Sequence, residues 1–180
     1  PDVLSRLAKT HTEITGLVCC AGRGRFGSLE EFAYKDIREL VDLNLTSQMY
    51  VVRAFMPIIK TNGGGDVVLM GSEAALSGGR YGAVYSATKF AVRGFAQALR
   101  HECAAANVRI TIVNPGMVRT KFFDSLKFEP GADPDNYIEP EDVASAVCGA
   151  LSARRGTVVD EINLSPLKRV VRSKTDDADN

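Results

Sequence analysis

Apolar positions in this chain come in short blocks separated by longer stretches of helical spacing. Three blocks are nearly all apolar: Ile14–Ala21 ("ITGLVCCA"), Asp66–Gly71 ("DVVLMG") and Val108–Asn114 ("VRITIVN"). Short apolar runs bounded by Gly, Asn and Pro read as strands buried on both faces, the habit of parallel sheets. Val158–Leu164 reads as a last strand. Between them the period changes. Val3, Leu4, Leu7 and Ala8 mark a helix over residues 2–10. A long helix is expected from Leu29 to Lys60, with Ser28 as N-cap and Glu31 completing a capping box. Its apolar face is interrupted near Asn44, where a break or bend is expected. Val84–Ala106 and Pro140–Ala153 are the remaining helices.

Strands alternating with helices predict an α/β fold with a doubly wound parallel sheet in three layers, α/β/α. No internal repeat is present, and a single domain is expected over residues 1–172. The closing "SKTDDADN", residues 173–180, reads as a disordered polar tail. Met117–Ile138 reads as a long loop carrying Phe122, Phe123, Phe128 and Tyr137, of the length that often serves as a functional lid.

Composition narrows the function classes. The 22 basic residues balance the 22 acidic ones, which gives no support to nucleic-acid or anionic-membrane binding. No apolar run reaches the length of a membrane span, so a soluble, cytoplasmic protein is expected. Cys19, Cys20, Cys103 and Cys148 lack metal-site spacing and are expected to be reduced, buried apolar residues. His11 and His101 read as surface or helix-face residues. No metal site is expected.

Two motifs compete for the chemistry. "GRGRFG", Gly22–Gly27, spells the G-x-G-x-x-G of dinucleotide-binding loops. That fingerprint requires a second strand ending in an acidic residue about twenty positions on. Asp42 stands at the right distance but inside a helical pattern, so the match fails its context. The stronger signal is "YSATK". Tyr85 and Lys89, at i and i+4, share a helix face. An ammonium beside a phenol lowers its pKa and suits it to general acid–base work. Ser72 closes the second strand, Asn44 interrupts the long helix, and "PGMVRT" follows the third strand at its carboxyl end.

In this ordered set the sequence resembles the short-chain dehydrogenase/reductase family, from "GLVCCAG" to "VVDEINLSPL". The resemblance implies an NAD(P)-dependent oxidoreductase that interconverts a carbonyl and an alcohol of a small molecule by hydride transfer. It implies Tyr85 as proton donor or acceptor, Ser72 as orienter of the substrate oxygen, and Asn44 as holder of a relay water. Lys89 is implied to lower the Tyr85 pKa and hold the nicotinamide ribose. Ala21 and Gly22 would line the adenosine side of the cleft, and Pro115, Gly116, Val118 and Thr120 the nicotinamide side. NADP is slightly favoured over NAD.

"CCAG" stands where the family has N-N-A-G, so two strand-tying asparagines are replaced. The family's opening strand and T-G-x-x-x-G-x-G turn have no counterpart. The resemblance therefore implies a chain corresponding to family strands 4–7, with its first strand at a sheet edge. Family resemblance also implies a homodimer or homotetramer, built on apolar helix faces that include Phe55, Phe95 and Leu99. Two other readings stand beside the enzyme. One is a truncated, inactive, oligomerising α/β module that cannot hold the cofactor. The other is a hydrolase using Ser72, which lacks the G-x-S-x-G elbow.

Overall fold

The computed structural model describes residues 2–174. Its centre is a four-stranded parallel sheet of β1 (Gly16–Cys19), β2 (Gly65–Met70), β3 (Val108–Pro115) and β5 (Glu161–Leu164), in the spatial order β1-β2-β3-β5. Every strand of this sheet runs parallel to its neighbours. β2 and β3 lie in the middle, and all eight residues of β3 are buried. That is why "VRITIVN" carries almost no polar alternation.

Helices cover both faces. α3 (Ser47–Thr61) and α4 (Ala83–Cys103) pack on one side, where Val52, Ile59, Val92 and Ala96 meet Val67, Leu69, Ile110 and Ile112. α5 (Pro140–Leu151) covers the other, through Val143 and Val147 against Val68, Val113 and Ile162. α1 (Asp2–Thr10) packs outside α3. The expected three-layer α/β/α arrangement is present.

Several local expectations are corrected. β1 stands at the sheet edge, as the family resemblance implies, but it is not buried on both faces: Val18 is 48% exposed while Cys19 is buried. Cys20 and Cys148 are exposed, and only Cys19 and Cys103 are buried; all four are free thiols. Ser28 makes no side-chain capping bond, and the chain forms only a short 3-10 turn, Leu29–Glu31. The helix proper, α2 (Tyr34–Val41), starts later, where the Asp36 carboxylate accepts a hydrogen bond from the Ala33 N–H at 3.2 Å. The break near Asn44 is real, and takes the form of a π-helical segment, Asp42–Thr46.

Phe55 and Leu99 do not form a spare face. Both are buried in the chain's own interior, and Phe95 packs against the α3–α4 side of the sheet. The stretch after β3 is more ordered than a plain loop. Val118 pairs with Ile138, and β4 (Phe128–Pro130) forms an antiparallel ribbon with β6 (Val171–Ser173). Ser173 and Lys174, expected in a disordered tail, are therefore held: Ser173 by β6, and Lys174 by donating its N–H to the Lys127 carbonyl at 2.9 Å. The rest of that expected tail, residues 175–180, lies outside the described residues.

Candidate active site

Parallel strands deliver their loops to one end of the sheet, and the carboxyl ends of β1, β2 and β3 converge here beside the amino end of α4. Tyr85 lies in the first turn of α4 and Lys89 one turn further on. Both are buried, at 6% and 4% exposure. The Lys89 Nζ donates to the Met70 carbonyl at the end of β2, at 3.0 Å, and lies 5.8 Å from the Tyr85 ring centroid. Ser72 follows two residues after Met70 in extended backbone, and its Oγ accepts the Ala74 N–H at 3.2 Å. Gly71 must be glycine: a Cβ there would stand 2.0 Å from Asn114 Oδ1.

Asn44 is completely buried and tied at both ends. Its Nδ2 donates to the Arg23 carbonyl at 3.0 Å and to Thr88 Oγ1 at 3.2 Å, while its Oδ1 accepts the Arg23 N–H at 2.9 Å. Thr88 in turn donates to the Tyr85 carbonyl at 2.7 Å. The π-helical segment thus links the loop after β1 to the helix carrying Tyr85. Gln48, one turn beyond Asn44, donates to the carbonyls of Ala21 and Asn44. Thr88 and Gln48 were missed from sequence. Thr88 lies inside "YSATK" and Gln48 one turn after Asn44, each a buried polar side chain.

The residues expected around a cofactor divide into two groups. Gly22 borders the centre: a Cβ there would lie 3.3 Å from Asn44 Oδ1 and 3.5 Å from Lys89 Nζ, so both polar atoms lie against this glycine. Ala21 precedes it under Gln48. Pro115 ends β3, and the Gly116 N–H donates to the Leu164 carbonyl at 2.8 Å. A Cβ on Gly116 would meet Glu73 Oε2 at 3.2 Å, which brings the residue after Ser72 against this edge. Val118 is fixed by its bridge to Ile138. The exposed Thr120 accepts the Phe122 N–H at 3.2 Å, so its hydroxyl already caps the short turn Lys121–Phe123. Gly22 thus lies against Asn44 and Lys89, and Gly116 against Glu73 and Pro166.

Burial dominates the electrostatics. It pushes the Tyr85 phenol above its ordinary pKa, helped by the negative charge of Glu73; the Ser72 hydroxyl works the other way. Lys89, its Nζ 5.8 Å from the ring centroid, is not among the causes that set this net direction. Desolvation also lowers Lys89 itself, to about 8. Above Tyr85 the rings of Phe26 and Phe122 lie at centroid distances of 5.1 and 6.0 Å, and Phe128 stacks edge-on against Phe26 at 5.0 Å. Gly24 permits this roof, since a Cβ there would come within 2.5 Å of Phe122. Of the glycines of "GRGRFG", Gly22 thus makes room for Asn44 and Lys89, Gly24 for Phe122 and Phe26, and Gly27 for Glu31 and Phe32. Among the described residues no group of three or more His, Cys, Asp or Glu could hold a metal ion, and no helix is long and apolar enough to cross a membrane.

Tyr85, Lys89, Ser72 and Asn44 thus gather beside the carboxyl ends of the parallel strands and the amino end of α4. In the sequence comparisons, the family model for short chain dehydrogenase matches residues 1–130. The chain belongs to the short-chain dehydrogenase family. It is 31% identical over 162 residues to a sepiapterin reductase of Chlorobaculum tepidum, covering 90% of this chain but 65% of that protein. The chain thus spans less than two thirds of that relative's length. Among solved structures, an alcohol dehydrogenase from Thermococcus sibiricus complexed with 5-hydroxy-NADP superimposes with a TM-score of 0.82 at 26% identity, covering 94% of this chain and 70% of that one. A short chain dehydrogenase from Mycobacterium paratuberculosis bound to NAD gives 0.80 at 26%, covering 93% and 70%.

Proposed function

We propose that this chain carries the proton-transfer half of an NAD(P)-dependent oxidoreductase that interconverts a carbonyl and an alcohol. The observation that carries the reading is the convergence of Tyr85, Lys89, Ser72 and Asn44 at the carboxyl ends of β1–β3. A bound nicotinamide cofactor supplies or takes the hydride at the substrate carbon. The chain's own residues handle the proton. In reduction Tyr85 donates its phenolic proton to the carbonyl oxygen; in oxidation the phenolate takes the hydroxyl proton back.

Ser72 is assigned to donate a hydrogen bond to that same oxygen and fix its position. Lys89, cationic below about pH 8, stabilises the phenolate left behind. A Cβ on Gly22 would meet both Asn44 Oδ1 and Lys89 Nζ, and this closeness supports assigning a water between them as the next proton carrier. The portion of the dinucleotide this site borders is common to NADP and NAD, and the proposal covers both with NADP slightly favoured. The names of the relatives, a sepiapterin reductase and dehydrogenases with NADP or NAD, support an enzyme over an inactive module.

The test is Tyr85→Phe in the full protein, assayed as carbonyl reduction and as alcohol oxidation with both cofactors. Loss of roughly 10²-fold or more in kcat in each direction is expected, with unchanged circular dichroism. Unchanged turnover would remove Tyr85 from the chemistry and the proposal with it.

A further inference from the structure

Across the Phe26–Tyr85 contact from the catalytic pair lies an open groove of about 920 Å³. Four separate segments build it: the loop after β1, the turn before α4, the stretch around β4, and Val171 of β6. Phe26, Tyr81 and Phe128 give it aromatic walls, and two of these rings belong to the cluster that roofs Tyr85. The groove therefore begins one ring's width from the reacting group.

Its charge is one-sided. Arg23 and Arg25 on its wall are already ion-paired, with Glu39 at 2.9 Å and Asp36 at 2.6 Å. Arg80 and Lys127 also line it, and among the described residues neither has an ion-pair partner. Glu31 is the one carboxylate on the wall, and it too is unpaired among the described residues. Two cations against one anion leave a single positive charge.

The rim is also held in an unusual backbone. Tyr81 has φ 61°, a left-handed conformation that bulky residues rarely adopt. Its carbonyl accepts the Gly27 N–H at 2.8 Å, which locks the rim to the loop after β1. In this conformation the Arg80 guanidinium stacks 4.6 Å above the Tyr81 ring. A planar cation on an aromatic face is pre-oriented for a carboxylate. Strain of this kind persists where the surrounding structure enforces it, and it clusters at ligand-binding sites.

We propose that this groove binds the far end of the substrate, and that this end is a monoanionic carboxylate carried on an apolar or aromatic body. Arg80 and Lys127 supply the counter-charge, and Phe26, Tyr81 and Phe128 enclose the body. The substrate class is thus an oxo acid or hydroxy acid whose carboxylate stands well away from the reacting carbon. The inference rests on Tyr85 as the proton-transfer group.

The probes are 4-formylbenzoate, its methyl ester and 4-formylphenyl phosphate, bound to the full protein by calorimetry and then assayed with NADPH and NADH. The acid is expected to bind at least about tenfold more tightly than the ester. In the double variant Arg80→Ala/Lys127→Ala, both positions being on the groove wall and outside the core, that ratio should fall to about one. The ester's own affinity should stay within about twofold. Equal affinity for acid and ester, no measurable affinity for either, an unchanged ratio in the double variant, or tighter binding of the phosphate would each overturn the proposal. An acid that binds with the expected preference but is reduced with neither cofactor leaves the groove's assignment standing and removes the hydride-transfer reading. A protein that reduces both aldehydes with no preference does the reverse.

Discussion

At the residue scale, Tyr85 and Lys89 are pushed in opposite directions on the pH axis by the same cause. Burial disfavours whichever form is charged, so the phenol rises and the ammonium falls to about 8. For Lys89 the folded pKa lies below the unfolded value of 10.5. Below pH 8 both states hold the proton and the penalty on folding is constant. Between about 8 and 10.5 the unfolded chain binds more protons, so the stability of the folded state rises with pH. Lys89→Met removes that gain. Urea unfolding at pH 7 and pH 9.5 should show the wild type gaining on the variant by up to about 1.4 kcal/mol per pH unit above 8. Equal gains in the two proteins would show that Lys89 is not desolvated. For Tyr85 the raised pKa keeps the phenol protonated through neutral pH, which favours its use as an acid. Carbonyl reduction should be flat from pH 6 to 8, while alcohol oxidation should climb steadily into the alkaline range. A plateau in oxidation below pH 8 would contradict the raised phenol.

At the scale of elements, what could be read from the sequence was what local chemistry decides. Tyr85 and Lys89 needed only a helix and a four-residue spacing. Ser72 needed only the end of an apolar strand, and the break at Asn44 showed as a polar residue in an apolar run that proved to be a π-helical segment. What could not be read depended on distant neighbours. The apolar look of "GLVC" says nothing about what covers each of its faces, and Val18 on β1 is half-exposed. Ser28 had the right letters for a cap, but Asp36 made the bond. The roof over Tyr85 joins Phe26 and Phe122, which are far apart in the chain. Gly24 is where those two segments meet, and a side chain there collides with both rings. Gly24→Val should lower stability by about 1–3 kcal/mol through overpacking. Adding Phe122→Ala to it should recover part of the loss, because the colliding ring is gone. Thermal unfolding of the single and double variants decides this: additive losses would mean that Gly24 is glycine for some other reason.

At the scale of the whole molecule, the end of the sheet opposite the active site is fastened by one buried side chain. Arg109, near the start of β3, is 6% exposed. Its Nε donates to Asp66 Oδ1 on β2 at 2.6 Å. Nη2 donates to the Leu151 carbonyl at 2.9 Å and Nη1 to the Ala153 carbonyl at 2.8 Å, at the end of α5. One guanidinium thus joins two strands to the carboxyl end of the helix on the far face, and it satisfies carbonyls that the helix cannot satisfy itself. A planar fork of donors can do this and an ammonium cannot. Arg109→Met would leave the Asp66 carboxylate with only the long contact to Arg155, at 3.5 Å, and would strip the α5 end of its donors. A loss of about 3–5 kcal/mol is expected in chemical denaturation. Asp66→Asn in the same chain should restore part of it by removing the orphaned charge. Because Tyr85, Lys89 and Ser72 are held at the other end of β2 and by α4, the variant should retain its kcat/KM at temperatures where it remains folded. A fall in kcat/KM without a fall in stability would show instead that the two ends of the sheet are coupled.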